Sequence, residues 1–184
     1  MKGYNGTIFA YGQSGSGKTY TMLGPEDVTN CIINGVDSVS EEVQQLYGII
    51  PRTTLTIFQL INDGIKKGIK FSIKCSYLEV YNESINDLLM RPPHLGLKIR
   101  EYPNIGMVVM GLEETYVSTP EEIFKLLAVG TENCMVSATN QNQRSSRSHT
   151  VLMINVEQKF FDGSQKVSKL NLVDLVSLFC SNMI

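Results

Sequence analysis

Apolar and polar positions along the chain fall into two periods, and each marks a different element. Phe71, Ile73, Cys75 and Tyr77 recur at every second residue, the spacing of a strand with one buried face. Leu55, Phe58, Ile61 and Ile65 follow Pro51 at intervals of three and four. Proline is tolerated at a first helical position, so the spacing predicts a helix over 51–66. Thr7 to Tyr11 is rich in β-formers and runs straight into a glycine cluster. RPPHLG, from Arg91 to Gly96, breaks the chain, and short strands are expected near 97–101 and 106–110. Thr119-Pro-Glu-Glu122 spells a capping box, and Ile123, Leu126 and Leu127 supply the apolar face of the helix behind it. Two apolar runs, 149–160 and 167–175, flank Asp162-Gly163, a hairpin signal. Between Gly24 and Gly48 the chain is polar and weakly patterned, which reads as a surface insertion. The sum is an α/β fold class with a mixed sheet.

Composition narrows the partners. A chain of 184 residues with 42% hydrophobic content can build one globular domain. The net charge of −2 is spread over both signs, so no basic stripe points to nucleic acid or to an anionic membrane. Cys31, Cys75, Cys134 and Cys180 never form C-x-x-C and the two histidines stand far apart, leaving no zinc signature and no disulfide framework. No apolar stretch reaches the roughly 20 residues of a spanning helix, and MKGYNGT is no signal peptide. A soluble, intracellular protein without membrane insertion is expected.

Three stretches carry chemistry. Gly12-Gln-Ser-Gly-Ser-Gly-Lys18-Thr19 fits G-x-x-x-x-G-K-[ST] between a predicted strand and a predicted helix. Glycines at those places let backbone N–H groups converge on phosphate oxygens, a lysine neutralises the β and γ charges, and the threonine hydroxyl can ligate Mg²⁺. The plain alternative is a flexible glycine-serine loop. Asn140 to His149 is a dense run of hydrogen-bond donors before a strand, suited to sensing a γ-phosphate, or else a solvated serine cluster open to phosphorylation. Leu170-Asn-Leu-Val-Asp174 is an apolar strand ending in a carboxylate that could orient Mg²⁺ through water, or merely cap a turn.

Taken together, GYNGTIFAYGQSGSGKTYTMLG (Gly3 to Gly24), GIIPR (Gly48 to Arg52), SYLEVYNESINDLL (Ser76 to Leu89), NQRSSRSH (Asn142 to His149) and LNLVDL (Leu170 to Leu175) resemble the kinesin motor domain. The resemblance runs in the family's order over residues 1–175. It implies a P-loop NTPase of the kinesin type, with a mixed central sheet flanked by helices, incomplete for want of the N-terminal strands and C-terminal helices. It implies ATP and Mg²⁺ as ligands, held by Gly12, Gln13, Ser14, Gly15, Ser16, Gly17, Lys18, Thr19 and Tyr20. Asn142, Ser145, Ser146 and Arg147 would then be catalytic as switch I, and Thr19, Ser146 and, through water, Asp174 would hold the metal. The implied partner is the microtubule, through the complete motor, in the cytoplasm and cytoskeleton, with no nucleic acid partner.

The likeness stops after Leu175. Where the family has D-L-A-G-S-E, this chain has Asp174-Leu175-Val176-Ser177-Leu178-Phe179, so serine replaces the phosphate-sensing glycine and phenylalanine the proton-relaying glutamate. Residues 176–184 are read as a non-family tail, a translated intron, since Val176-Ser177 can be encoded by GTA-AGT. Two other functions stay open: a catalytically inactive, kinesin-derived binding module, and a P-loop GTPase switch, which the lack of N-K-x-D disfavours.

Overall fold

The computed structural model describes residues 2–13, 15–25, 44–92, 94–103, 106–138 and 148–175, without the side chains of 135–138. In chain order the elements are β1 (Gly6–Ala10), α1 (Lys18–Leu23), α2 (Ile49–Ile65), β2 (Lys70–Tyr81), β3 (Ser84–Asp87), β4 (Lys98–Tyr102), β5 (Gly106–Met110), β6 (Thr115–Tyr116), α3 (Pro120–Ala138), β7 (His149–Lys159) and β8 (Gln165–Asp174). The main sheet runs β1-β8-β7-β2-β3, with β6 added to β2, and β4 and β5 form a separate ribbon. Among the described residues β1 and β8 pair in parallel and the other strand pairs of the main sheet are antiparallel, so the sheet is mixed as expected.

Alternation places the core. Ile73, Cys75 and Tyr77 lie opposite Val156, Ile154 and Leu152 in the register of β2 and β7, and Leu172 of β8 continues the last row. Residues directly opposite each other share a face, and these seven are all buried there with Ile57, Phe58 and Ile61 of α2 and Ile123, Phe124 and Leu127 of α3. Each such side chain contributes roughly 1.5–3 kcal/mol of transfer free energy.

Helix α2 begins and ends within two residues of the expectation, but its buried face differs from the predicted one. Ile50, Thr54, Ile57, Phe58, Ile61 and Gly64 face inward, whereas Leu55 is half-buried and Ile65 points to solvent. Two stripes were compatible with the period, and Phe71 selects between them. Its ring lies where a β-carbon on Gly64 would come within 2.5 Å, so the glycine side of the helix must turn to the sheet.

The start of α3 follows the capping box with a shift. The Glu122 N–H donates to Thr119 Oγ1 at 3.4 Å, while the Glu122 carboxylate accepts the N–H of Ser118, one residue earlier than the ideal box, at 2.6 Å. The β7–β8 hairpin forms at Asp162-Gly163, where Gly163 takes φ 82° and Asp162 Oδ1 accepts both the N–H and the hydroxyl of Ser164.

Pattern reading missed β3 and β6. The β2–β3 turn places Asn82 and Glu83 at φ 48° and 60°, the two positive values of a hairpin turn that ordinarily calls for Asn-Gly. Glu83 is the wrong residue type for that signal. Of the Gly24–Gly48 insertion, residues 26–43 lie outside the described residues, but its two ends meet. The Gly48 N–H donates to Leu23 O, and a β-carbon on Gly48 would come within 2.6 Å of Leu23 backbone atoms. Thus α2 starts where α1 stops.

Candidate functional site

The parallel pairing of β1 with β8 is what assembles the site. Ala10, the last residue of β1, lies opposite Asp174, the last residue of β8, and the Leu175 N–H donates to Ala10 O. The glycine-rich loop and the strand-end carboxylate therefore leave the sheet side by side, although about 160 residues of sequence separate them.

Each glycine in the loop has its own reason. Gly15 and Gly17 sit at φ 78° and 84° with open space where a side chain would go, so backbone conformation alone requires them. Gly12 is different, because a β-carbon there would lie 2.5 Å from Ser16 Oγ. The loop closes on itself through the Ser16 N–H donating to Gln13 O, and α1 starts at Lys18 with Gly17 as its left-handed N-cap.

The first two side chains of α1 reach back toward the loop and the end of β8. Lys18 is buried, and its ammonium donates to Gln13 O at 2.7 Å. Thr19 Oγ1 donates to Asp174 Oδ2 at 2.6 Å. The other carboxylate oxygen, Asp174 Oδ1, is buried without a hydrogen-bond partner among the described residues. Such an atom asks for a donor, and a metal-bound water is one. Hydroxyl and carboxylate oxygens are the hard donors that Mg²⁺ takes. Among the described residues no group of three or more His, Cys, Asp or Glu could hold a metal alone. A cation here would complete its shell from phosphate oxygens and water, as Mg²⁺ does in nucleotide sites.

The expected site residues divide cleanly. Gly12, Gln13, Gly15, Ser16, Gly17, Lys18 and Thr19 form one loop with Asp174 beside it, and Tyr20 lies at the exposed surface of α1. Ser14, Asn142, Ser145, Ser146 and Arg147 lie outside the described residues, as does the tail from Val176. Ser148, at the close of that serine run, is buried.

Sequence reasoning passed over a second polar cluster, beside the first. Asn86 Nδ2 donates to Glu79 Oε2 at 3.0 Å, and the Cys134 thiol donates to Glu79 Oε1 at 3.4 Å. Asp87 accepts the N–H groups of Leu89 and Glu113, and Asn133 donates to Leu88 O. A signal existed. Glu79 has the parity of Phe71, Ile73, Cys75 and Tyr77, so the same alternation that defines the strand turns this carboxylate inward. Nearby, burial pushes the Tyr77 phenol up to about 12, against hydrogen bonds with Thr150 and Thr131. Burial also pushes the Cys75 thiol up to about 12, which leaves it inert as a nucleophile.

Comparison with known proteins decides the family. The kinesin motor domain model matches residues 1–178. This chain belongs to the kinesin motor domain family. It is similar to kinesin-related protein 5 of Dictyostelium discoideum, with 50% identity over 95% of this chain and 17% of that protein. Kinesin-like protein KIF15 of Rattus norvegicus is 44% identical over 95% of the chain and 12% of its own length. A solved structure described as a fast kinesin superposes with a TM-score of 0.82 at 38% identity, over 98% of this chain and 48% of that one. The chain thus spans under a fifth of these relatives and about half of the solved kinesin chain.

Proposed function

We propose that this chain is the nucleotide-binding part of a kinesin motor, taking Mg·ATP between the Gly12–Thr19 loop and Asp174 and serving a protein that acts on microtubules. The observation that carries it is the Thr19–Asp174 hydrogen bond at 2.6 Å, with the second Asp174 oxygen buried and unpartnered among the described residues. A hydroxyl and a carboxylate joined across two parallel strand ends, at the mouth of a left-handed glycine loop, match the donor set of a nucleotide-bound Mg²⁺. When bound, that ion supplies charge neutralisation for the β and γ oxygens. Lys18 would exchange Gln13 O for a phosphate oxygen, a short swing because its ammonium already lies in the loop. The loop N–H groups orient the phosphates, and Tyr20 flanks the nucleotide. Asn142, Ser145 and Ser146 would close over the γ-phosphate, Ser146 also reaching the metal, and Arg147 would meet a switch II carboxylate. The cytoplasm and its microtubules are the corresponding location.

Binding and turnover separate in this reading. Ser177 and Phe179 stand where the family has glycine and glutamate, and loss of a proton-relaying carboxylate costs ~10²–10⁴-fold in rate. The 184-residue chain is expected to bind ATP and hydrolyse it poorly; those two residues favour, as a second reading, a kinesin-derived binding module without turnover. If residues 176–184 are translated intron, the spliced message continues with glycine and glutamate after Leu175, and the longest product of the gene is a working motor.

Titration with a fluorescent ATP analogue, with and without Mg²⁺, tests the site. Affinity should fall when Mg²⁺ is chelated, and in Thr19→Val and Asp174→Asn. Affinity indifferent to all three would sink the assignment. Microtubule-stimulated ATP turnover by the longest gene product separates motor from binding module, and sequencing of the spliced transcript across codon 175 decides the origin of the tail.

A further inference from the structure

The buried oxygen of Asp174 has a hydroxyl across the strand from it. Thr150 of β7 is the register partner of Asp174 in β8. Residues directly opposite each other share a face with their Cβ atoms about 4.5–5.5 Å apart, so a threonine hydroxyl in that place is a ready donor to the carboxylate. Yet Asp174 Oδ1 has no hydrogen-bond partner among the described residues.

The Tyr77 phenol accounts for this. Tyr77 of β2 pairs with Leu152, two residues along β7 from Thr150, and so stands diagonal to Thr150 on the same face. An aromatic side chain reaches a diagonal neighbour, and the phenol hydrogen-bonds with Thr150, as it does with Thr131 of α3. It also lies near enough to Asp174 to feel the carboxylate's charge. Packing does not call for the hydroxyl. Tyr77 is 5% exposed within the apolar core, where phenylalanine would fill nearly the same volume and bring no polar atom to satisfy. What the hydroxyl adds is a partner for Thr150, whose side chain has few χ1 rotamers and is held in one of them by that bond.

We infer that Tyr77 is a positioning residue for the metal side of the site: by holding the Thr150 hydroxyl it keeps Asp174 Oδ1 open to a water on Mg²⁺. This rests on the proposed Mg·ATP site and adds to it a side chain two strands away. Released from Tyr77, the Thr150 hydroxyl donates to Oδ1 instead and competes with the metal-bound water for it.

The test uses the longest product of the gene and a fluorescent ATP analogue, comparing affinity at saturating Mg²⁺ with affinity in excess chelator. The ratio of the two is the gain from Mg²⁺. In Tyr77→Phe the gain should fall about 10-fold, the low end of what a hydrogen bond to a charged group is worth, while affinity in chelator stays within about twofold. Thr150→Val keeps the shape of the side chain without its hydroxyl, and alone it should leave the gain within about twofold. Added to Tyr77→Phe, it should restore the lost gain, although it takes one more polar group out of the sheet. A residue that merely supports the fold gives the opposite, a double variant no better than the single one. Such a double variant, an unchanged gain in Tyr77→Phe, or equal losses with and without Mg²⁺ would each overturn the inference. If the parent shows no gain from Mg²⁺, the site assignment fails first; if the parent shows it and Tyr77→Phe keeps it, only this inference fails.

Discussion

Strands β7 and β1 belong to one sheet and differ in almost everything that stabilises a strand. β7 is paired on both sides, by β2 and β8, and its Leu152 and Ile154 are 0% exposed. β1 is paired only by β8 among the described residues, and its Phe9 is 62% exposed. Yet β1 carries the glycine-rich loop. Strands in parallel pairing are ordinarily covered on both faces, so the proposed nucleotide loop hangs on the least covered strand of the main sheet. The loop keeps its shape through contacts that need no cover: the β1–β8 register, the left-handed glycines and the Thr19–Asp174 hydrogen bond.

That contrast can be broken first at the centre. Leu152→Ala removes a side chain with no exposed surface, opposite Tyr77 and Leu172, and should cost about 3 kcal/mol through lost transfer energy and a cavity. Equilibrium urea unfolding reads it. A loss below about 1 kcal/mol would mean that the β2–β7 centre is not the stable part of the sheet.

A second probe overfills the same region. A β-carbon on Gly130 of α3 would lie 2.1 Å from Cδ1 of the buried Tyr77 ring and 3.3 Å from Cβ of the buried Leu88. Alanine gains about 1 kcal/mol of helix propensity over glycine, but the ring has nowhere to go. Overpacking should prevail, leaving Gly130→Ala destabilised by about 2 kcal/mol. A variant more stable than the parent would show that α3 can lift off β2.

The two regions were unequally legible in the sequence, and for different reasons. The glycine-rich loop between β1 and α1, and a strand ending at Asp174, could be read because glycine, lysine and a terminal aspartate are chemically conspicuous at fixed spacing. The β7–β8 hairpin was legible because Asp162-Gly163 is the turn its geometry requires. The inward stripe of α2 could not be read from period alone, since Phe71 chooses it from another element. β3 was hidden by a turn with glutamate at positive φ, and β6 by its two-residue length. Glu79 was overlooked because a charged residue in an apolar alternation looks like an interruption, although its parity placed it inside.

A smaller effect is expected from the Tyr77 hydroxyl. Tyr77→Phe removes hydrogen bonds with Thr150 and Thr131 and should cost about 1 kcal/mol at neutral pH. The pH dependence separates this from packing. Burial raises the phenol from its ordinary 10.0 to about 12, so its neutral form is favoured in the fold. That stability is fully present below pH 10 and is lost between 10 and 12, because the unfolded chain ionises first. Cys75, raised from 9.0 to about 12, adds a loss that begins lower. In Tyr77→Phe the decline above pH 10 should become shallower while the part due to Cys75 remains. An identical alkaline profile would place the phenol in contact with water.

The edge should respond least in stability and most in association. Phe9 is 62% exposed on β1 and is not a member of the buried cluster, so Phe9→Ala should change unfolding free energy by no more than about 0.5 kcal/mol. An edge strand with unpaired backbone groups and an exposed aromatic side chain is also a template for other strands. Phe9→Lys puts a charge on that edge, the usual device against strand addition. Sedimentation velocity of the 184-residue chain over a range of concentrations should then show less self-association for Phe9→Lys than for the parent, at nearly equal urea midpoints. If Phe9→Ala costs as much as Leu152→Ala, the edge is as tightly packed as the centre, and the contrast between β1 and β7 fails.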